Sequence, residues 1–352
     1  MLVVALGLGA GASTAQEQGI ASENGHCNRG GSPAGQARER AVVPVDLPAT
    51  ATPLVGREAE LATIAAALQR ADIRLLTLTG APGIGKTRLA VEAARSAAAA
   101  FAHGAVFVDL AQVTDPARVS WSVAQRLGIR PRAKLSAVEA LIRALRERHL
   151  LLLLDNFEHV VEAAPEVAAL LAAAPQLKVL VTSREPLRLM WEHQIAVPPL
   201  QVPDLRNLPD PAALSAVPAV ALFIARGRAV DYAFAVTPEN ARAVAEICVR
   251  LDGLPLALEL AAGQVKAVSP EAIRERLDHR LTLLQRAARD LPARHRTLRA
   301  AVGWSYSRLT PSQQALFRRL AVFIGDFALD AGGSRVRGLR GGCALRARRP
   351  GG

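Results

Sequence analysis

The stretch "LTLTGAPGIGKTRLA", residues 76–90, joins an apolar run to a segment of helical spacing through a glycine-rich turn. The turn contains the spacing G-x-x-x-x-G-K-[ST], and its candidate phosphate-binding residues are Gly80, Gly83, Gly85, Lys86, Thr87 and Arg88. Glycines leave successive backbone N–H groups open to phosphate oxygens, and the positive end of the following helix faces the same anion. Lys86 would place its charge on the terminal phosphates, and Thr87 would offer a hydroxyl to Mg²⁺. The stretch therefore predicts a phosphate-binding loop (P-loop) for a nucleotide with magnesium.

Short apolar runs alternate with longer Ala- and Leu-rich stretches of helical spacing on both sides of this loop. The runs are "RLLTLTG", "AVFVDL", "LLLLLD", "KVLVTS" and "HQIAVP", beginning at residues 74, 105, 150, 178 and 193. Such alternation predicts a parallel sheet with helices on both faces. Ligands of these sheets gather at the carboxyl ends of the strands, where Gly80, Asp109, Asp155 and Thr182 fall. We expect an α/β P-loop NTPase domain over residues 51–200.

Asp155 ends the most hydrophobic run and is followed by Asn156. An acid in this position is expected to hold Mg²⁺ through water, together with the Thr87 hydroxyl. Many P-loop hydrolases carry a second acid directly after this aspartate to orient the attacking water, and an asparagine cannot take up a proton. Glu158 is a candidate substitute, although it could equally be a first-turn acid favoured by a helix dipole. Hydrolysis, if present, is expected to be slow.

Arg184 lies just past the fourth apolar run, in "VLVTSREPL". A guanidinium there could reach the γ-phosphate and respond to its presence, and a structural salt bridge is the alternative. The candidate catalytic residues are therefore Asp155, Glu158 and Arg184.

Strand signals stop after residue 199, and the chain becomes helical beyond a connector rich in Pro and Asp. Thr237, Pro238 and Glu239 predict a helix start, Gly253 a helix end, and Pro255 the start of the next helix. From Gly332 the sequence is rich in Gly and Arg, with almost no apolar periodicity. This predicts a basic tail over residues 332–352. An open reading frame that is truncated or frame-shifted near residue 331 is the alternative that the interrupted helical pattern favours.

The composition argues against an exported, membrane-spanning, disulfide-linked or zinc-binding protein. Residues 1–50 contain much Gly and Ser and lack a basic leader region, which predicts a flexible lead-in or a misassigned start. No run approaches the roughly 18 apolar residues of a membrane-spanning helix. A P-loop protein needs cellular ATP, so we expect a cytoplasmic protein without membrane contact. Cys27, Cys248 and Cys343 lie far apart, which supports neither a disulfide framework nor a zinc site.

The net charge of +12 suggests a nucleic-acid partner, but six arginines and no acid lie in residues 332–352, which hold half of the excess. DNA contact is therefore expected only weakly through this tail, or through segments missing from the chain.

Taken together, the motifs resemble the NTPase module of STAND-class signal-transduction ATPases, the group that includes the NB-ARC domains. More narrowly, residues 52–331 resemble the ATPases of bacterial LuxR-type and AfsR-type transcriptional regulators. The motifs that carry the resemblance besides the P-loop are "LVGREAEL" at 54–61, "LLLLLDNFEH" at 150–159, "VTSRE" at 181–185 and "GLPLALELAA" at 253–262.

The resemblance implies that Val55 and Arg57 border the adenine and that Pro255 packs near it. It also implies a helical domain with the GLPL motif over residues 201–290 and a partial winged-helix domain over 291–331. An ATP/ADP switch with slow magnesium-dependent hydrolysis follows from it. Self-association in the ATP state is left open.

Two other functions stay open. An AAA+-type remodelling ATPase would need a catalytic acid and an arginine finger that reaches a neighbouring subunit, and Asn156 and the GLPL motif argue against it. A DNA-binding protein would act through the winged-helix segment and the arginine-rich tail. Salt-sensitive binding that disappears when residues 332–352 are deleted would identify tail electrostatics alone.

Overall fold

The structure, a computed structural model, describes residues 45–50, 52–130 and 135–277, together with positions 311, 314, 315 and 318. Apart from those four positions, the predicted winged-helix domain lies outside the described residues, as does the C-terminal part of the predicted helical domain. The basic tail, Cys27, Cys343 and all of the lead-in before residue 45 also lie outside them.

A six-stranded parallel sheet forms the centre of the described chain, with the strand order β1-β3-β4-β5-β2-β6. The strands are β1 (Val45–Asp46), β2 (Leu75–Thr79), β3 (Ala105–Asp109), β4 (Leu151–Asp155), β5 (Lys178–Ser183) and β6 (Glu192–Ala196). The five predicted strands and the α/β fold class are confirmed. The lead-in prediction is wrong at its end, because Val45 and Asp46 pair with β3. A salt bridge of 2.6 Å from Arg126 to Asp46 holds this short strand.

Helices cover both faces of the sheet. They are α1 (Glu58–Gln69), α2 (Lys86–Ala97), α3 (Val119–Arg126), α4 (Ala137–Leu145) and α5 (Ala164–Ala173). On one face α1 and α2 pack against Leu151 and Leu153, and on the other α3, α4 and α5 pack against Leu152 and Leu154. Because side chains alternate along a strand, both faces of β4 are apolar. This explains its unbroken run of leucines.

A helical lobe, defined here as residues 211–277, follows the sheet. Its helices are α6 (Pro211–Ser215), α7 (Pro218–Arg228), α8 (Ala241–Arg250), α9 (Pro255–Ala262) and α10 (Pro270–Arg276). Phe223, Val244 and Leu258 lie fully buried in its core. The helix start predicted at Thr237 lies within one turn of α8, because the N–H of Ala241 donates to the carbonyl of Thr237 at 2.8 Å. The N–H of Thr237 in turn donates to the Asn240 side chain at 2.9 Å, as in a helix cap.

A sharp turn at Gly253 connects α8 to α9. Gly253 has φ +60°, in the left-handed region where L side chains are strained, and its carbonyl accepts a 3.0 Å hydrogen bond from the N–H of Leu200. This bond joins the chain that leaves the sheet to the first residues of α9. Within the described ranges no helix is long and apolar enough to cross a lipid bilayer.

Candidate nucleotide site

The P-loop connects β2 to α2, and α2 begins at Lys86 as predicted. The Nζ of Lys86 donates to the carbonyls of Gly80 at 2.8 Å and Ala81 at 3.2 Å. Burial lowers the pKa of Lys86, and the negative charge of Glu158 acts in the opposite direction. The ammonium group is therefore folded back onto its own loop, where an anion would be a stronger partner.

Asp155 lies at the carboxyl end of β4 with only 3% of its surface exposed. Its Oδ1 accepts hydrogen bonds from the hydroxyl of Thr87, at 2.7 Å, and from the hydroxyl of Thr182. Burial raises the pKa of Asp155 to about 6, and these two hydrogen bonds act in the opposite direction. A buried carboxylate beside a threonine hydroxyl at the end of a P-loop is a donor set that suits Mg²⁺. The two residues predicted to hold the metal are thus adjacent.

Glu158 and Arg184 form an ion pair, with 2.9 Å between the glutamate Oε1 and the arginine Nε. Glu158 lies in a 3₁₀ turn (Phe157–His159), so it is not a first-turn acid of an α-helix, and α5 begins only at Ala164. The salt bridge considered as the alternative for Arg184 is present. The second oxygen of Glu158, Oε2, is buried and makes no hydrogen bond among the described residues. This oxygen can accept a hydrogen bond from a water molecule.

A cavity of about 440 Å³ opens above the P-loop, within the size range of small-molecule sites. It is lined by the P-loop residues Pro82, Gly83, Gly85, Lys86, Thr87 and Arg88, by Val91, Asn156, Glu158 and Arg184, by Pro255, Leu256 and Glu259, and by Pro48, Ala49, Thr50 and Thr52. The sheet and α9 of the helical lobe therefore contribute to the same cavity. Pro255 lies on its wall, beside the P-loop.

The start of α9 contacts the P-loop directly. The N–H of Leu256 donates to the carbonyl of Gly83 at 3.2 Å. Gly83 has φ +77°, and a Cβ at this position would come within 3.0 Å of the Leu256 Cβ. Gly83 thus allows the loop and the lobe to pack closely, in addition to leaving the backbone open to phosphate as expected.

A charged cluster beside the cavity was not predicted. Glu259 on α9 accepts from the Nε of Arg226 on α7 at 2.9 Å and lies 3.6 Å from Arg88 on α2. Arg88 also donates to Thr52 and to the carbonyl of Pro53. Its guanidinium therefore binds the lobe and the segment before α1, which differs from the phosphate contact expected of it. In the sequence, this cluster could have been predicted from Glu259, the single acid in the otherwise apolar stretch "GLPLALELAA".

Val55 and Arg57 do not line the cavity. Val55 packs against the core of the helical lobe. Arg57 is 4% exposed, and its Nη2 donates to the carbonyl of Ile84 at 3.2 Å and to that of Pro198 at 2.8 Å. Arg57 therefore links the P-loop to the chain after β6. Contact of these two residues with an adenine stays a prediction.

Strand order places β5 between the P-loop strand β2 and the Asp155 strand β4. This arrangement lets Thr182 and Arg184, at and after the end of β5, reach the same site. A parallel sheet of this order, a P-loop and a buried aspartate that accepts from the P-loop threonine define a P-loop NTPase.

Comparisons with known proteins support this class. The family model described as an AAA domain matches residues 70–190. A "Putative HTH-type transcriptional regulator" of Mycobacterium tuberculosis is 40% identical over 276 residues, which are 78% of this chain and 29% of the relative. An uncharacterized protein of Mycobacterium tuberculosis is 40% identical over 280 residues, which are 79% of this chain and 67% of that protein. Regulatory protein AfsR of Streptomyces griseus is 30% identical over 302 residues, 82% of this chain and 28% of AfsR.

Two solved structures are similar at 15% sequence identity. One is a STAND protein with a tetratricopeptide repeat sensor from Pyrococcus horikoshii, with a TM-score of 0.41, covering 83% of this chain and 38% of the other. The other is a Walker-type ATPase of Pyrococcus abyssi, with a TM-score of 0.49, covering 76% and 80%.

The chain belongs to the family of P-loop ATPases that the mycobacterial HTH-type regulators and the AfsR regulatory proteins contain. The predicted family is thereby confirmed. The chain spans less than a third of the length of the named regulators that it matches.

Proposed function

We propose that this chain is an ATP/ADP-binding switch module of a transcriptional regulator, in which slow magnesium-dependent hydrolysis returns the ATP state to the ADP state. The observation that carries the proposal is the shared cavity, with Lys86 and Thr87 on the sheet side and Pro255 and Leu256 on the lobe side. A nucleotide in this cavity would touch both parts. Exchange of ADP for ATP could then change how the lobe packs on the P-loop.

The γ-phosphate is the group that distinguishes the two states. A ligand shifts an equilibrium only by its differential affinity, and a factor of about 100 corresponds to roughly 2.7 kcal/mol. Contacts from Lys86 and Arg184 with the γ-phosphate could supply that amount. Arg184 is paired with Glu158, so a γ-phosphate would meet a guanidinium that is already oriented.

Thr87 and Asp155 are the residues that would hold Mg²⁺, which when bound would neutralise charge on the phosphates. Asn156 supplies no base, and the Oε1 of Glu158 is held in an ion pair with Arg184. The unpartnered Oε2 of Glu158 can still orient a water molecule. We infer that hydrolysis is slow because water is positioned without a strong general base.

Replacing Glu158 with glutamine is expected to slow single-turnover ATP hydrolysis about tenfold or more, whereas loss of a general base would typically slow it roughly 10²–10⁴-fold. ADP affinity is expected to change less, because ADP lacks the γ-phosphate that Arg184 would contact. The measurement is release of labelled phosphate with protein in excess, beside calorimetry with ADP. Glu162→Gln is the matched control, since Glu162 is exposed and does not line the cavity. An unaltered rate in Glu158→Gln would remove Glu158 from hydrolysis.

An AAA+-type remodelling ATPase is the second candidate, since the family model that matches is described as an AAA domain. Phosphate release measured in the steady state, with ATP in excess, separates the two proposals. Turnover of many ATP per second that rises with protein concentration would favour a working oligomeric ATPase. Turnover slower than about one per minute would favour the switch, since rates of working enzymes are typically about 1–10³ s⁻¹.

The proposed partners are an adenine nucleotide and, in the ATP state, a second copy of the chain. The named mycobacterial relatives are called HTH-type regulators. DNA contact is therefore proposed for helix-turn-helix segments and not for the described residues.

A further inference from the structure

Two carboxylates face each other at the carboxyl ends of neighbouring strands. Asp109 ends β3 and Asp155 ends β4, and the two residues are register partners. The amide of Asn156 lies between them, and its Nδ2 donates to Asp155 Oδ2 at 2.7 Å and to Asp109 Oδ1 at 3.1 Å. One side-chain amide thus supplies a hydrogen bond to each of two like charges.

The backbone of Asn156 is also specific. Its φ of +62° lies in the left-handed region, where asparagine is among the few non-glycine residues that occur readily. This conformation directs the N–H of Asn156 to the hydroxyl oxygen of Thr182 at 3.0 Å. The Thr182 hydroxyl in turn donates to Asp155 Oδ1.

Both oxygens of Asp155 are therefore held. Oδ1 accepts from Thr87 and Thr182, and Oδ2 accepts from Asn156. Removing the amide would leave Oδ2 without this donor, whereas the exposed Asp109 would keep the 2.8 Å hydrogen bond that its Oδ1 accepts from the N–H of Ala111. Loss of a hydrogen bond costs more free energy when the buried acceptor is charged than when it is neutral.

We propose that Asn156 is a positioning residue, which holds the Asp155 carboxylate in the orientation that Mg²⁺ requires by bridging it to Asp109. This rests on the proposed function, because Asp155 is there the residue assigned to magnesium. Asn156 is then not simply a lost catalytic acid. An acid at this position would replace the bridging donor by a third carboxylate, and a glutamate would in addition be less suited to the left-handed backbone.

The test compares Asn156→Asp with the wild type in calorimetric titrations with ADP, once with Mg²⁺ and once with EDTA. Aspartate keeps the size of the side chain and tolerates the same backbone conformation, so the variant isolates the exchange of a donor for a charge. ADP affinity with Mg²⁺ is expected to fall at least about tenfold, the equivalent of one lost hydrogen bond to a charged group. Affinity in EDTA is expected to change less than twofold, because no Mg²⁺ is then present for Asp155 to hold.

The double variant Asp109→Asn with Asn156→Asp is the decisive control. It restores the number of carboxylates and reverses the amide–carboxylate pair, so it is expected to recover at least half of the binding free energy lost in Asn156→Asp. A loss that the second substitution leaves unchanged would contradict the bridging role. So would an Asn156→Asp protein that binds Mg-ADP like the wild type.

Asn156→Gly keeps the inference testable if the aspartate variant does not fold. Glycine accepts the left-handed backbone and removes the amide without adding charge, so affinity for Mg-ADP should fall, by about threefold or more. Unchanged affinity would overturn the proposal. Asn156→Glu should not hydrolyse ATP faster than the wild type, and a large acceleration would show that position 156 only lacks a base. Failure of the wild type to bind Mg-ADP would instead refute the proposed function.

Discussion

Replacing Lys86 with alanine should reduce the affinity for both ATP and ADP at least about a hundredfold, as expected when a charged hydrogen-bond donor to phosphate is lost. The fold should survive this change. Among the described residues the Nζ of Lys86 donates to the carbonyls of Gly80 and Ala81, both in its own loop, and burial already disfavours its charge. The unfolding midpoint without nucleotide is therefore expected to stay within about 2 °C of the wild-type value.

Calorimetry with each nucleotide in Mg²⁺, beside thermal unfolding without ligand, measures the two halves of this expectation. Lys266→Ala is the matched control, because Lys266 is exposed and does not line the cavity. It should bind nucleotide like the wild type. Unchanged affinity in Lys86→Ala would show that the P-loop is not the phosphate site. A variant that unfolds without ligand would show that the lysine has a structural role.

Replacing Gly253 with alanine is expected to destabilise the protein by roughly 2–4 kcal/mol, the combined cost of a strained backbone and a steric clash in a packed turn. Gly253 has φ +60°, and a Cβ there would lie 2.1 Å from the carbonyl oxygen of Leu200. Relief of this clash requires the turn before α9 to move. Leu256 would then be displaced from the Gly83 carbonyl, so affinity for ADP should fall together with stability.

Gly128→Ala separates the two causes. Gly128 has a similar φ of +68°, but nothing lies within 4 Å of the position that its Cβ would take. Its substitution should cost only about 1 kcal/mol, the price of the left-handed backbone. Urea unfolding measures both free energies, and calorimetry measures ADP affinity. Equal losses of unfolding free energy in the two variants would mean that the clash of the added Cβ with the Leu200 carbonyl contributes nothing.

The centre of the sheet was predictable because β2, β4 and β5 are buried on both faces. The four leucines of β4, residues 151–154, therefore form an unbroken apolar run that the flanking helical stretches set apart. β1 gave no such signal, since two residues cannot show a periodicity. Its contacts at the edge of β3 include a salt bridge from Arg126, 80 residues along the chain. The start of α8 was predictable to within one turn, because Thr237 and Asn240 form a helix cap with a local signature.

The site was predictable to the extent that topology brings residues together. Carboxyl ends of parallel strands meet at one edge, so the P-loop, Asp155 and Arg184 were expected to lie near each other, and the structure brings them there. Side-chain partners were less accessible to sequence reasoning. The bridge of Asn156 to Asp109 and the pairing of Arg88 with Glu259 join residues far apart in the chain. Such contacts depend on packing between elements, which no local pattern records.

Amide hydrogen exchange with and without Mg-ADP measures most directly whether the nucleotide lies between the sheet and the helical lobe. We expect slower exchange in peptides that cover residues 80–88 and also in peptides that cover 253–259, because both line the cavity or hold its wall. Peptides of α3, on the opposite face of the sheet, should not change. Protection confined to the P-loop, with none in 253–259, would contradict a nucleotide shared by both parts.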